Sequence, residues 1–206
     1  MALRTLPYRN YNEHDVINAY ALADAHVNSN LTGTGPGDAG VFVTVDAGNL
    51  DLATNVYGTD SYLGKQNYPF VGSAGYPSVS LKVKPAVSGD IATIGLTLRQ
   101  TCEYDENGEK LLYYRQKAEE NQVTIKGHAV PIVSRGEFML SAAAFDGTLT
   151  PGNSFKLSAN SGKISGCANS DTARLGLVLG TGSRGSNGAE VADLYSGNYA
   201  LIKLGL

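Results

Sequence analysis

The chain has 206 residues, enough for one large or two small domains with a core, and its formal net charge is only -3. This charge excludes the basic field with which proteins attract nucleic acid. Charged residues make up 17%, whereas glycine reaches 25 residues and tyrosine 12, and together with β-branched segments this composition predicts an all-β protein with many turns. The chain has no apolar run of about 18 residues and no signal-peptide pattern at its start. We therefore expect that the chain does not insert into a membrane and that it is made in a reducing cytoplasm. We expect Cys102 and Cys167 to be free, buried thiols.

The first predicted elements are an arm and a short helix. Residues 1–11, MALRTLPYRNY, are too short for a domain and too apolar for a solvated tail, so we expect an extended arm that lies on its own barrel or on a neighbouring subunit. In the stretch YNEHDVINAY, Asn12 suits an N-cap, and Asp15 stands where its carboxylate can bond back to the cap. Apolar residues at close to helical spacing then predict one short amphipathic α-helix over 12–25: Val16, Ile17, Tyr20, Ala21 and Ala23.

Glu13, His14 and Asp15 in a row also have the chemistry of a metal site. Consecutive side chains on a helix point about 100° apart, so three in a row cannot converge on one ion. A zinc-binding helix would carry a second ligand four residues after His14, but that position is Asn18. We therefore interpret the triplet as a helix start and expect no metal and no cofactor. A metal shared between subunits is the alternative, although the chain offers few soft ligands to complete such a site.

After a polar, glycine-rich linker at 26–40, the pattern changes to short, often alternating apolar segments. The predicted strands are 41–46, 79–84, 93–98, 110–114, 122–126, 129–133, 137–142, 154–159, 174–180 and 199–206. Turn signals separate several of them, at 88–90, 105–108, 126–127 and 161–163. We therefore expect arm, helix and linker at 1–40, followed by a β-barrel or sandwich domain at 41–206.

Motifs that suggest catalysis or nucleotide binding lack the context that they need. Residues 35–40 and 180–185 both match GxGxxG, but a dinucleotide site requires a preceding strand, a following helix and a second parallel strand. We interpret 180–185 instead as an exposed loop between antiparallel strands. The acidic stretch 103–110 lacks the ligand spacing and the flanking helices of an EF-hand. His26 and His128 stand in loops without triad partners, so we expect no enzyme.

Residues 6–22, LPYRNYNEHDVINAYAL, resemble the N-terminal segment of head decoration, or cement, proteins of tailed bacteriophages. Residues 79–140 are similar to the barrel of that family in three short motifs. These are the GD-x-x-x-IG turn at 89–95, the DENGEKL hairpin at 105–111 and the G-x-AVP-x-x-x-x-G segment at 127–136. The stretch 141–206 has no such likeness and is a candidate for an outer, variable part.

The resemblance implies a non-enzymatic virion protein on the outer surface of the capsid, made in the cytoplasm of a bacterial host. It further implies a homotrimer that binds the major capsid protein, bridges neighbouring subunits of the shell and so stabilises it. Three arms would add avidity to weak single contacts. The expected capsid-binding residues are Leu3, Leu6, Pro7, Tyr8, Arg9, Tyr11, Val16, Ile17 and Tyr20, with Asn12 and Asp15 as the helix cap.

The main alternative is a receptor- or glycan-binding β-module of a phage head or tail fibre. Twelve tyrosines and Gly-Ser loops suit sugar binding. Such a module needs exposed aromatic residues clustered at one end of the barrel, whereas Tyr113 and Tyr114 fall within a predicted strand. A small β-barrel hydrolase is a third possibility, which the missing active-site pattern disfavours.

Overall fold

The computed structural model describes residues 4–20, 39–45, 83–90, 93–101, 107, 109, 111–120, 123–124, 129–185 and 197–205. The strands in these ranges are β1 Thr5–Asn10, β2 Val16–Tyr20, β3 Phe42–Val45, β4 Val83–Pro85, β5 Thr93–Thr97, β6 Gln100–Thr101, β7 Val123–Thr124, β8 Ala129–Val133, β9 Gly136–Ser141, β10 Phe145–Asp146, β11 Ser154–Leu157, β12 Ile164–Cys167, β13 Gly176–Arg184 and β14 Gly197–Leu204. One α-helix, α1 Arg115–Glu120, and 3-10 turns at Glu13–Asp15, Leu111–Tyr113 and Ala142–Ala144 complete the list. The predicted all-β class is confirmed.

Two sheets form a sandwich around the main core. The seven-stranded sheet has the order β1-β9-β14-β13-β11-β12-β10, and the five-stranded sheet has the order β2-β8-β5-β3-β4. Their strands pair antiparallel, except for the short parallel contact of β10 with β12. Phe42 from the five-stranded sheet meets Phe138 and Phe155 from the seven-stranded sheet in one buried cluster. The apolar faces of the two sheets therefore bury each other.

The five-stranded sheet is apolar on both faces. Phe42 points into the core between the sheets, whereas Val41 and Val43 belong to a second buried cluster with Val130 and Ile132. A strand that is buried on both faces has a continuous apolar run instead of an alternating one. This burial explains the run VFV at the start of β3.

The predicted helix over 12–25 is wrong. Residues 13–15 form a single 3-10 turn, and Val16–Tyr20 is a strand that pairs with β8, with Ile17 opposite Ile132. The β-branched residues favour a strand once a partner strand is available, and this tertiary pairing outweighs the weak helical spacing. Asn12 nevertheless caps the turn, because its side chain accepts a 3.0 Å hydrogen bond from the backbone N–H of His14. Residues 21–25 lie outside the described part of the chain.

The N-terminal segment lies on the chain's own β-domain, which is one of the two positions that we expected for the arm. Residues 5–20 run antiparallel to 129–141 along their length, β1 beside β9 and β2 beside β8. At the corner between the sheets, the backbone N–H of Ser134 donates to the carbonyl of Asp15 over 2.9 Å. The segment therefore contributes β1 to one sheet and β2 to the other, with the 3-10 turn between them. The predicted linker at 26–40 lies outside the described residues except for its last two.

Residues 141–206 belong to the sandwich itself. Their strands β10 to β14 make up most of the seven-stranded sheet, and Phe155, Val178 and Ile202 are fully buried in the main core. This part of the chain differs from the resemblance in sequence, yet it supplies one wall of the sandwich.

Most of the other strand predictions fall on observed strands, with two corrections. Residues 110–114 were expected to be a strand, but 111–113 form a 3-10 turn that leads into α1, whose sequence RQKAEE consists mostly of strong helix formers. The expected loop at 180–185 is instead the second half of β13, which continues to Arg184 opposite Gly197. The turn at 88–90 is confirmed, with φ of 106° at Gly89, and so is the turn at 161–163, with φ of 69° at Gly162. The hairpin at 105–108 and the turn at 126–127 lie almost wholly outside the described ranges.

The outcome for the two cysteines differs. Cys167 is a free thiol at the end of β12, where burial raises its pKa, but it is only half-buried. Cys102 lies outside the described residues.

Candidate functional site

The predicted capsid-binding residues fall into an exposed set and a buried set. Five of them are exposed on β1, the corner and β2, and we call this set the N-terminal surface: Pro7, Tyr8, Arg9, Tyr11 and Ile17. Exposure is 46% for Tyr8, 38% for Tyr11 and 40% for Ile17. Exposed large apolar side chains that follow one another along one segment are a candidate surface for binding a partner.

The buried set cannot make the contact for which it was predicted. Leu6 is 6% exposed and belongs to the core, and Val16 is half-buried and packs against the main cluster. Strand residues alternate between the two faces of a sheet, so Leu6 and Val16 point inward while their neighbours Pro7 and Ile17 are exposed. The inward side chains therefore attach the segment to the sandwich. Leu3 lies outside the described residues, and for Tyr20 the structure describes the backbone in β2 alone.

Neighbouring side chains hold the aromatic residues of the N-terminal surface in place. The hydroxyl of Tyr8 donates to Glu137 Oε2 over 3.3 Å, and Asn10 Nδ2 donates to the same oxygen over 3.4 Å. The ring of Tyr11 stacks on that of Phe138 with 6.0 Å between centroids and 20° between planes. A surface fixed in this way loses little side-chain entropy when it binds.

A polar cleft of about 640 Å³ adjoins this surface where the edges of the two sheets meet. We call it the corner cleft, and it is lined by Arg9, Tyr11, Glu13, Val16, Asn18, Leu98, Arg99 and Pro131. Arg9 Nη1 donates to the carbonyl of Leu98 over 3.1 Å, which orients the guanidinium. Two guanidinium groups face one carboxylate, so the cleft has a net positive lining. It suits a carboxylate carried by a partner, because guanidinium groups bind carboxylates through paired hydrogen bonds.

Glu13, His14 and Asp15 do not converge. Glu13 and His14 are exposed, and the backbone of Asp15 is used at the corner, where its carbonyl accepts from both the N–H and the hydroxyl of Ser134. Within the described residues, no group of three or more His, Cys, Asp or Glu side chains is arranged to hold a metal ion. The structure gives no hydrogen bond from the backbone N–H of Asn12 to the Asp15 carboxylate, so Asn12 alone has the capping geometry that was predicted for the pair.

Both β1 and β2 stand at the end of their sheets among the described strands. An edge strand offers backbone N–H and C=O groups to any further strand that approaches. Pro7 on β1 removes one of these donors, which limits indiscriminate pairing along that edge.

Sequence reasoning missed a second cleft, of about 380 Å³, which we call the distal cleft. Its lining comes from the turn after β10 and from the paired ends of β13 and β14: Phe145, Gly147, Thr148, Leu149, Thr181, Gly182, Ser183, Asn198 and Tyr199. These residues are far apart along the chain. The one signal for them was the Gly-Ser stretch at 180–185, which we had interpreted as a loop.

Tyr113 and Tyr114, which were expected within a strand, lie outside any strand. Tyr113 is 75% exposed and Tyr114 50% exposed, because the segment is a 3-10 turn and not a strand. Exposed neighbouring tyrosines are one of the features that a glycan-binding module requires.

Comparisons with family models, with curated proteins and with solved structures give no match to this chain. None of the described helices is long and apolar enough to cross a membrane.

Proposed function

We propose that the chain is a structural protein of a tailed-phage virion that binds the outer surface of the capsid and bridges neighbouring major capsid protein subunits. The N-terminal surface is the main contact in this proposal, and the protein acts as a homotrimer without enzymatic activity. The observation that carries the proposal is the exposure of Pro7, Tyr8, Arg9, Tyr11 and Ile17 along β1, the corner and β2. These residues lie in the segment that resembles the N-terminal part of decoration proteins.

The rigidity of the edge also supports this function. A capsid-bridging protein must resist forces that separate shell subunits, and a contact built on a sheet edge transmits force into the sandwich through backbone hydrogen bonds. The corner cleft, which Tyr11 helps to line, adds charge complementarity toward a carboxylate of the shell. In a trimer three such edges act together, so modest affinity per edge becomes strong attachment.

Co-sedimentation with undecorated phage heads tests the proposal. The full chain should pellet with heads and remain in the supernatant without them. Tyr8→Ala should weaken binding by about tenfold per edge, the loss typical of an aromatic contact residue. Tyr114→Ala is the matched control, because Tyr114 has similar exposure, 50% against 46%, but lies outside the N-terminal surface.

Capsid binding would be refuted if the chain pelleted with none of the undecorated tailed-phage heads tested. Equal binding by the wild type and a Tyr8→Ala, Ile17→Ala double variant would refute the N-terminal surface as the contact. Attachment to host cells without attachment to heads would favour the second candidate, a receptor-binding module, for which the exposure of Tyr113 and Tyr114 is the supporting observation.

A further inference from the structure

The distal cleft and the N-terminal surface belong to different neighbours of β9 in the seven-stranded sheet, β14 for the cleft and β1 for the surface. Asn10 pairs with Glu137 near the start of β9, whereas Tyr199 pairs with Ser141 at its end. Four residues separate these positions, which is about 14 Å along a strand. The distal cleft is therefore built from residues other than those of the N-terminal surface.

The lining of the distal cleft combines aromatic rings with uncharged polar groups. Phe145 and Tyr199 supply the rings, and the polar groups are three hydroxyls and one amide, from Thr148, Thr181, Ser183 and Asn198. None of the nine lining side chains carries a charge. All four of these polar residues are exposed, so their donors and acceptors are accessible to a ligand.

Local packing shapes the two walls of this cleft. Gly182 stands opposite Tyr199 in the β13–β14 ladder, and a Cβ at position 182 would collide with the Tyr199 ring. The glycine therefore allows the ring to lie flat against the strand, which fixes its orientation. A volume of about 380 Å³ is at the small end of the range for ligand sites and is suited to one or two sugar units.

The other wall is held by a charged network that stays outside the cleft. Asp146, next to Phe145, accepts hydrogen bonds from the Ser158 hydroxyl, from Asn160 Nδ2 over 3.0 Å and from Lys163 Nζ over 3.3 Å. Burial raises the pKa of the Asp146 carboxyl, but these bonds and the Lys163 charge outweigh it and lower the pKa below the ordinary value. The carboxylate is thus engaged away from the ligand space while it anchors the turn that carries Phe145.

We propose that the distal cleft binds a neutral saccharide of one or two units. Aromatic rings pack against the apolar C–H faces of a sugar, and hydroxyl and amide groups pair with its hydroxyls. A phosphate or an acidic sugar would require a cation, and the lining has none. The proposal is independent of capsid binding, because the two surfaces share no residue.

Titration of the full chain with glucose, galactose, mannose and N-acetylglucosamine, followed by two-dimensional NMR, tests this proposal. At least one of the four should give saturable shifts at the distal cleft with a dissociation constant of about 1 mM, as expected for a ligand of this size. Tyr199→Ala should weaken that binding at least tenfold, and Tyr8→Ala at the N-terminal surface should leave it unchanged. Asn198→Ala, at an exposed position, is the second variant if Tyr199→Ala fails to fold, and should also weaken binding.

Three results would overturn the proposal. The first is the absence of saturable binding by all four sugars. The second is binding that survives in a folded variant of the cleft with wild-type affinity. The third is displacement of the sugar by millimolar inorganic phosphate, which would show a cationic site instead of a neutral one.

Discussion

Replacing Leu6 by Ala tests whether the N-terminal segment belongs to the fold. A free arm would tolerate the change, since its side chains would have no intramolecular packing to lose. In the structure Leu6 is 6% exposed on β1, and β1 pairs with β9 at the edge of the seven-stranded sheet. We therefore expect Leu6→Ala to lower the free energy of unfolding of the whole sandwich.

The magnitude follows from burial. Truncating a buried leucine to alanine removes apolar contact and leaves a cavity, which together cost about 3 kcal/mol. Most domains have a total stability of roughly 5–15 kcal/mol, so such a loss is large. With a urea m-value of about 2 kcal/mol per M, the unfolding midpoint should fall by about 1.5 M.

Urea unfolding followed by circular dichroism measures this shift, with Tyr8→Ala as the control. Tyr8 lies two residues further along β1 and is 46% exposed, so its loss should change the free energy of unfolding by less than about 1 kcal/mol. Similar small effects from both variants would refute the integration of β1 into the core. A large effect from Tyr8→Ala alone would refute the assignment of inward and outward faces.

Gly136→Ala should destabilise the fold by about 2 kcal/mol or more, because Gly136 has φ of 144° and a Cβ there would collide with Asn10 and Tyr11. Gly89→Ala, at φ of 106° with open space around it, should show the backbone strain alone and therefore a smaller loss. The pKa of Asp146 is lowered in the folded state, so the ionised carboxylate should stabilise the fold at pH values above its ordinary pKa. This stabilisation should disappear as pH falls through the folded-state pKa, and urea titrations of Asp146→Asn should lack this acid dependence. Chelators and His14→Ala should leave the melting temperature unchanged, and a stoichiometric metal lost with His14 would contradict that expectation.

Strands with strong local patterns were predictable. The segments that form β5, β8, β9 and β14 carry β-branched or alternating apolar residues. Each of these strands has a neighbouring strand on both sides in its sheet. The spacing of their apolar side chains shows which residues point to the core, whatever the partner strand is. A short window of sequence is therefore enough to predict these strands. The turn at Gly89 was predictable for the same reason, since its glycine and aspartate specify local geometry.

The strand at Val16–Tyr20 was not predictable, because two local signals for a helix competed with one distant contact. Asn12 is a genuine cap, and the spacing after it is compatible with a helix. The deciding contact is the pairing of Val16 with Val133, residues that are 117 positions apart. A window of sequence that contains only the first of them cannot reveal this pairing, and secondary structure followed the tertiary contact.

Both clefts share that limitation. The corner cleft joins Arg9 to Arg99, and the distal cleft joins Phe145 to Tyr199. Arg9 lies on β1 of the seven-stranded sheet and Arg99 follows β5 of the five-stranded sheet, whereas β10 and β14 are separated by three strands of one sheet. The sequence contained the residue types for these sites, whereas their assembly depends on the strand order.

The docking of residues 5–20 on the sandwich also constrains how this segment can meet a partner. Lifting it away would remove the neighbours of β8 and β9 and would expose Leu6 and Ala19, both of which are buried. These contacts oppose any mechanism in which the segment leaves the sandwich to reach across a shell. A partner instead meets a surface that is already formed, so association requires no prior rearrangement and loses little ordering entropy. Because β1 and β14 both pair with β9, a rigid attachment through the N-terminal surface also fixes the orientation of the distal cleft.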